Sequence, residues 1–337
     1  MRFKKASIFL VMLMLFSLVL SGCARKENEE NNKEGQSNIK ELQEFNVLLD
    51  WYPNAVHAFL YAAEDQGYFK EEGLKVNLIT PAGTEDGIKL VATGKADLAI
   101  SYPKQVILSR GENIPVKSVG AIVRTSLNQL MVRRDAGIKT LKDLEGKKVG
   151  FSSFEIDKET VNTMVKEAGG EPSKIEFVDV GYELMAGIET KRVDAIIGGY
   201  INHEKILLEK QGIQLDTFNP VDYGVPNNYE LVFIASDEGI KNNNDNIQAF
   251  LRAVKKGFEY TKNNPDKALD LVLKVQNESF PLDAEIEKKS LEILLPLMED
   301  QSGDFLSQDE ENWNNNIKWL QEKSLLKGKV DSKSVFQ

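Results

Sequence analysis

Two successive series of alternating strand and helix signals constrain this chain more than any other feature. The first runs strand 45–50, helix 55–66, strand 74–80, helix 84–92, strand 96–101, helix 103–110 and strand 116–124. The second runs strand 147–151, helix 157–168, strand 175–180, helix 182–190, strand 193–198, helix 202–210 and strand 213–218. Such alternation implies a parallel or mixed sheet covered by helices, an α/β fold. The two series also echo each other. Gly87-Ile88 followed by G-K-A-D-L-A-I (94–100) matches Gly187-Ile188 followed by K-R-V-D-A-I-I (191–197). Each reads as a helix, a short basic turn and a buried strand opened by an aspartate, so we expect two similar lobes.

After Tyr229 the strand E-L-V-F-I-A leads into a helix-rich tail at about 245–262, 265–276, 282–298 and 308–323. Pro265 and Pro281 are placed at helix starts, where a missing N–H costs nothing. Lobe one has too few helices of its own to cover its sheet, so the tail is expected to return to it. This gives 45–130 as the first part of lobe one, 131–229 as an inserted second lobe, and 230–337 as the return with its helical tail. The crossings near 124–132 and 224–232 would then form a hinge.

The first 22 residues open with Arg2, Lys4 and Lys5, continue through an apolar run from Ala6 to Leu20, and end in Leu20-Ser21-Gly22-Cys23. A charged start, an apolar stretch short for a membrane span and a small-residue exit make an export signal. The chain's single cysteine follows that exit directly, the pattern of a lipoprotein signal whose Cys23 is acylated. With no second cysteine, no disulfide supports the fold. Residues 23–44, rich in Glu, Lys, Asn and Gln, are expected to be a flexible tether. Removing residues 1–22 takes three basic residues and no acid, so 42 basic against 52 acidic becomes 39 against 52, a net charge of −13. That balance argues against nucleic acid as a partner.

Catalysis finds little support. The two histidines, His57 and His203, lie far apart with no cysteine near them, so neither a cysteine–histidine nucleophile nor a zinc site can be assembled. No G-x-S-x-G elbow or phosphate-binding G-x-x-x-x-G-K-S/T loop is present. No catalytic residue, metal or cofactor is therefore expected. Binding is better served, because strand ends keep delivering the same kinds of group. Trp51, Tyr52, Asn54 and His57 follow the first strand, and Ser101 and Tyr102 the third. In the second series Ser152, Phe154 and Glu155 follow the first strand, Glu183 starts the next helix, and Tyr200, Asn202 and Glu204 follow the third strand. Tyr223 lies near the return crossing. Aromatic faces with amides and carboxylates, and almost no Arg or Lys, suit a flat, neutral or weakly basic heteroaromatic molecule. The bland alternative is that the tyrosines are interlobe packing and the glutamates helix caps.

The segments D-W-Y-P-N-A-V-H (50–57), G-Y-F-K-E-E-G-L (67–74), T-G-K-A-D-L-A-I-S (93–101), L-E-G-K-K-V-G-F (144–151), G-G-Y-I-N-H-E (198–204) and Y-G-V-P-N-N-Y-E-L-V-F-I-A (223–235) carry a resemblance. Together they resemble a solute-binding family that also contains the fungal thiamine-pyrimidine synthases. The resemblance implies a type II periplasmic-binding-protein-like fold, two α/β lobes closing on a ligand across two hinge crossings. It further implies a monomeric lipoprotein, held on the extracytoplasmic face of the cell membrane through Cys23, that captures N-formyl-4-amino-5-aminomethyl-2-methylpyrimidine for an ABC permease and its ATPase. Riboflavin or hydroxymethylpyrimidine are alternative ligands. In the synthases a lysine holding pyridoxal phosphate and a histidine consumed as substrate occupy the segment matching 100–116, where this chain aligns Ser101 and Gln105. Their cysteine-rich stretch matches Val225–Tyr229, which has no cysteine. The resemblance thus implies a binding protein rather than an enzyme. In that reading Trp51 or Tyr52 would face Tyr200 or Tyr223 across the ring, with Asn54, His57 and Asn202 as donors. Glu155, Glu183 or Glu204 would accept from the exocyclic amine.

Overall fold

Strand β1 (Gln43–Leu48) alternates around Phe45 and Val47, both fully buried, because the period-2 pleat sends every second side chain into the helix layer. The computed structural model describes residues 41–83, 86–152, 155–181, 183–278 and 281–337, and those from Glu41 onward form one compact unit. The export signal, Cys23, most of the tether and Phe154 lie outside the described residues. The further strands are β2 (Leu74–Ile79), β3 (Leu98–Ser101), β4 (Val116–Val123), β5 (Leu130–Arg133), β6 (Lys148–Phe151), β7 (Glu176–Asp179), β8 (Ala195–Ile196), β9 (Leu215–Phe218) and β10 (Leu231–Ser236).

They form two five-stranded sheets, ordered β2-β1-β3-β10-β4 and β7-β6-β8-β5-β9. In the first, β1 is parallel to β2 and β3, while β10 runs antiparallel to β3 and β4. In the second, β6 is parallel to β7 and β8, while β5 runs antiparallel to β8 and β9. The two sheets thus share one topology. In each, the fourth place is taken by a strand that has just crossed from the other lobe, β5 outward and β10 on return. Strand β5 stands where the sequence suggested only a crossing. Leu130-Met131-Val132 is too short an apolar run to declare a period, yet all four residues of β5 are buried.

The internal echo has a physical cause. Asp97 accepts from Asn46 N–H at 2.8 Å and returns its own N–H to Asn46 O at 2.9 Å. Asp194 repeats this with Lys148, at 3.0 and 2.8 Å. In each lobe the aspartate opening the third strand locks it to the first. The paired glycines set the helix above: a Cβ on Gly87 would lie 3.2 Å from Ala99 Cβ, and one on Gly187 3.4 Å from Val193 Cγ2.

The tail helices Asn244–Asn263, Pro265–Lys274 and Ala284–Met298 cover the first sheet. Phe250 collects Phe69 (5.4 Å, stacked), Phe45 (5.5 Å, stacked) and Phe233 (5.3 Å, edge-on) beneath them. Pro265 starts its helix, whereas Pro281 precedes the Asp283 cap of the next one. Helix Glu310–Glu322 completes the tail and buries Trp313 and Trp319. Among the described residues, no helix is long and apolar enough to cross a membrane.

Candidate functional site

The carboxyl ends of β1, β3, β6 and β8, all running in the parallel sense within their sheets, deliver polar groups toward the two crossings. In open α/β sheets this is the edge where ligands bind. From β1 comes a braced turn. Asn54 accepts from Val56 N–H (3.0 Å) and donates to Tyr52 O (3.1 Å), starting the 3₁₀ turn Ala55–His57. His57 is fully buried: Nδ1 accepts from Asn54 N–H (3.2 Å), so the ring proton sits on Nε2 and is donated to Asp50 (2.9 Å). Asn54 and His57 thereby brace the turn: both ring nitrogens of His57 are engaged within it, while the Asn54 amide keeps a second N–H beyond the one given to Tyr52. What the turn presents is Trp51, 43% exposed, with Tyr52 edge-on to it at 5.9 Å.

From β3 come the buried Ser101 and the half-buried Tyr102, followed by Lys104 on helix Pro103–Gly111. Lys104 Nζ lies 5.0 Å over the Trp319 ring. Burial pushes its ammonium down, opposed by the charges of Glu230 and Asp157.

The second lobe supplies Ser152 after β6 and Asp157 in the first turn of helix Glu155–Glu167. Ser152 Oγ donates to Asp157 Oδ2 (3.1 Å) and Asn128 Nδ2 to Oδ1 (3.4 Å). Burial, aided by the Glu230 charge, pushes the Asp157 carboxyl up to about 6 against Ser152, Lys104 and Asn128. After β8, Gly198 N–H donates to Asn128 Oδ1 (2.8 Å), and Tyr200 donates its hydroxyl to Glu230 (2.9 Å). Burial and the neighbouring Glu230 raise the Tyr200 phenol well above its ordinary value.

Glu230 ties the crossings together. Its carboxylate is 7% exposed and accepts from Leu127 N–H (2.7 Å), Ser126 Oγ (3.1 Å), Asn128 N–H (3.3 Å) and the Tyr200 hydroxyl. On the far side, Asn202 is buried and donates to Ser290 Oγ at 2.9 Å, so it too works inside the protein. His203 bridges Glu204 (3.1 Å) and the buried Glu287 (3.7 Å), whose other oxygen takes Ala55 N–H at 2.8 Å. Burial would lower the His203 imidazole, but its two carboxylates outweigh that and raise it. Burial raises Glu287, and only partly is this offset by Ala55 N–H and the histidines.

The carboxylates named from sequence are placed differently from those the structure gathers. Glu155 is exposed and paired with Lys158 at 2.5 Å; Glu183 is an exposed helix cap. Glu204 is engaged by Tyr200 N–H (2.8 Å) and His203. Tyr223 packs edge-on to Phe218 at 6.2 Å, in a turn beside helix Glu155–Glu167, not with Tyr200. The buried acids Asp50, Asp157, Glu230 and Glu287 are not among the site residues expected from sequence. A signal existed: Asp157 shares a helical stripe with Val161, Met164 and Val165, and Glu287 with Leu291, Leu294 and Met298. A lone acid in an apolar stripe marks a buried charge. Among the described residues no cluster fit for a metal ion occurs.

The comparisons agree with this architecture. The chain is 41% identical over 331 residues, 98% of both chains, to the formylaminopyrimidine-binding protein of Halalkalibacterium halodurans. It is 26% identical over 239 residues, 67% of this chain and 72% of the relative, to 4-amino-5-hydroxymethyl-2-methylpyrimidine phosphate synthase of Legionella pneumophila. The periplasmic aliphatic sulphonate binding protein SsuA from Escherichia coli superposes with a TM-score of 0.70 at 15% identity, covering 86% of this chain and 96% of that one, so the fold is that of a periplasmic binding protein. The model of the family described as NMT1/THI5 like matches residues 54–268, and the chain belongs to that family.

Proposed function

We propose that this protein is the solute-binding component of an ABC importer that captures N-formyl-4-amino-5-aminomethyl-2-methylpyrimidine. The observation carrying this is the near full-length 41% identity to a formylaminopyrimidine-binding protein. The cleft chemistry supports it. Trp51, Tyr52, Tyr102 and Tyr200 offer flat faces for a heteroaromatic ring, and the surrounding carboxylates beside Lys104 suit a ligand that donates from an amine. Acylated Cys23 holds the mature monomer on the outer face of the membrane, and the closed protein delivers its cargo to the permease and ATPase. Calorimetry against formylaminopyrimidine, hydroxymethylpyrimidine, thiamine and riboflavin tests the reading. Tightest binding of the formylated compound is expected, and tighter binding of riboflavin would refute it.

One observation favours a second reading, a pyrimidine synthase: a lysine pushed down by burial, Lys104, sits in the segment that matches the synthases' cofactor lysine. We favour binding, because Ser101 and Gln105 align with the synthase lysine and histidine. Incubation with pyridoxal phosphate separates the two. A stable lysine adduct seen by absorbance and lost in Lys104→Arg would sink the binding-protein reading.

A further inference from the structure

Asp157 is 6% exposed, yet the described donors that reach it are long for partners of an ionised carboxylate, at 3.1 Å from Ser152 and 3.4 Å from Asn128. The charged groups facing it are Lys104 from the opposing lobe and Glu230 from the return crossing; the Tyr200 hydroxyl is held by Glu230. On its own helix, Glu155 and Lys158 pair with each other. Lys104 rests over Trp319 and acts on Asp157 only through its field. Beside the carboxyl the backbone carries no side chain and has no room for one: Gly198 has φ 108°, and a Cβ there would lie 3.0 Å from Ser152 Oγ, 3.2 Å from Leu184 Cδ1 and 3.6 Å from Asp157 Oδ2. Two residues on, the same strand end provides the Tyr200 ring.

We propose that Asp157 reads the aminopyrimidine edge of the ligand, one carboxyl oxygen accepting from the exocyclic amine and the other sharing a proton with the adjacent ring nitrogen. The inference rests on the ligand reading above. An amine next to a ring nitrogen is a donor beside an acceptor. A carboxyl that keeps its proton complements both, whereas an ionised carboxylate would press a lone pair against the ring nitrogen. A group lifted to about 6 by burial retains that proton at little free-energy cost near neutrality. No covalent bond forms or breaks; the free carboxylate and the neutral ligand take one proton from solvent as they pair.

The test is calorimetry of the whole mature protein with N-formyl-4-amino-5-aminomethyl-2-methylpyrimidine from pH 5.5 to 8.5, in buffers of differing ionisation enthalpy. Above pH 6 the affinity should fall toward about tenfold per unit, with proton uptake approaching one per ligand. Asp157→Asn presents the same acceptor and donor with nothing to titrate. It should bind within about threefold of wild type at pH 6 and stay flat to pH 8.5, while Asp157→Ala should lose roughly 10- to 100-fold throughout. A slope arising from the ligand's own protonation would persist in the Asn variant. Tight wild-type binding with a flat profile and no proton uptake overturns the inference alone, and needs no variant to fold. An Asn variant that melts like wild type but binds as poorly as the Ala variant also overturns it. No wild-type binding at any pH defeats the ligand reading and this pairing with it.

Discussion

Replacing Glu230 with alanine removes the acceptor around which both crossings are arranged. Leu127 is 1% exposed, so its N–H, now 2.7 Å from the carboxylate, would have no route to water. An orphaned buried N–H costs about 1–3 kcal/mol. Asn128 N–H, in the longer bond of 3.3 Å and half-buried, adds less. The hydroxyls of Ser126 and Tyr200 rotate toward other partners and add little. The expected loss is therefore about 2–4 kcal/mol for Glu230→Ala. Glu230→Gln should lose only about 1 kcal/mol, because the amide oxygen still accepts from Leu127 and the Tyr200 hydroxyl can turn to accept from the amide nitrogen. Urea unfolding measures both, and Tyr200→Phe in the Gln background should cost about 1 kcal/mol or more, since it leaves the buried amide nitrogen without its acceptor. A Glu230→Ala midpoint shift equivalent to less than about 0.5 kcal/mol, or equal losses for Ala and Gln, would mean the crossings hold themselves without this carboxylate.

Gly257→Ala should destabilise by about 1–3 kcal/mol or more in spite of a gain near 1 kcal/mol in helix propensity, because its Cβ would lie 2.3 Å from Phe59 O and 2.8 Å from Ala63 Cβ; an unchanged urea midpoint would contradict that. The raised His203 imidazole implies stability present in full below about pH 6.5 and lost as pH climbs through its folded value. The melting-temperature gap between wild type and His203→Gln should accordingly be open at pH 6 and closed by pH 9. Asp157 has the opposite consequence for the empty protein. An acid raised to about 6 disfavours the folded state increasingly from about pH 4 to 6 and fully above, so Asp157→Asn should raise the melting temperature at pH 7.5 and not at pH 3.5. Cys23→Ser should release protein to the medium or leave its precursor uncleaved, since stable anchoring takes two acyl chains; mature protein still in the membrane fraction would disprove the attachment.

Much of the fold was legible because parallel strands buried on both faces and helices with one apolar stripe write distinct periods. Leu98–Ser101 and the helix Asn244–Asn263 are examples. Strand β5 was not legible, since four residues carry too little period, and its place is set by pairing with β8 and β9 rather than by its own sequence. The aromatic residues Trp51, Tyr52, Tyr102 and Tyr200 were visible at the strand ends. The buried carboxylates were not, because Asp157 lies in an apolar helical stripe and Glu230 immediately precedes an apolar strand, and Glu230 gains Leu127 and Tyr200 as partners only through the fold. Whether an asparagine or histidine faces a ligand or braces its own turn cannot be read from spacing: Asn54, half-buried, and His57, fully buried, are engaged by Asp50, Tyr52, Val56 and each other within the same turn.

The position of β10 has a consequence for how the molecule is made. The second sheet is assembled wholly from the continuous stretch between Leu130 and Phe218, so that lobe can complete itself from local chain. The first cannot. Strand β4 joins its sheet only through β10, and Ile100 must wait for Phe233. Until the chain has traversed the whole of the other lobe, β3 and β4 both keep an open edge, and such edges invite wrong partners. Closing that long loop carries the largest entropy of the assembly, so joining of β10 should follow formation of the inserted lobe and limit the rate of the whole. The bonds that Glu230 makes to Leu127 and Tyr200 across the crossings cannot form before β10 is seated.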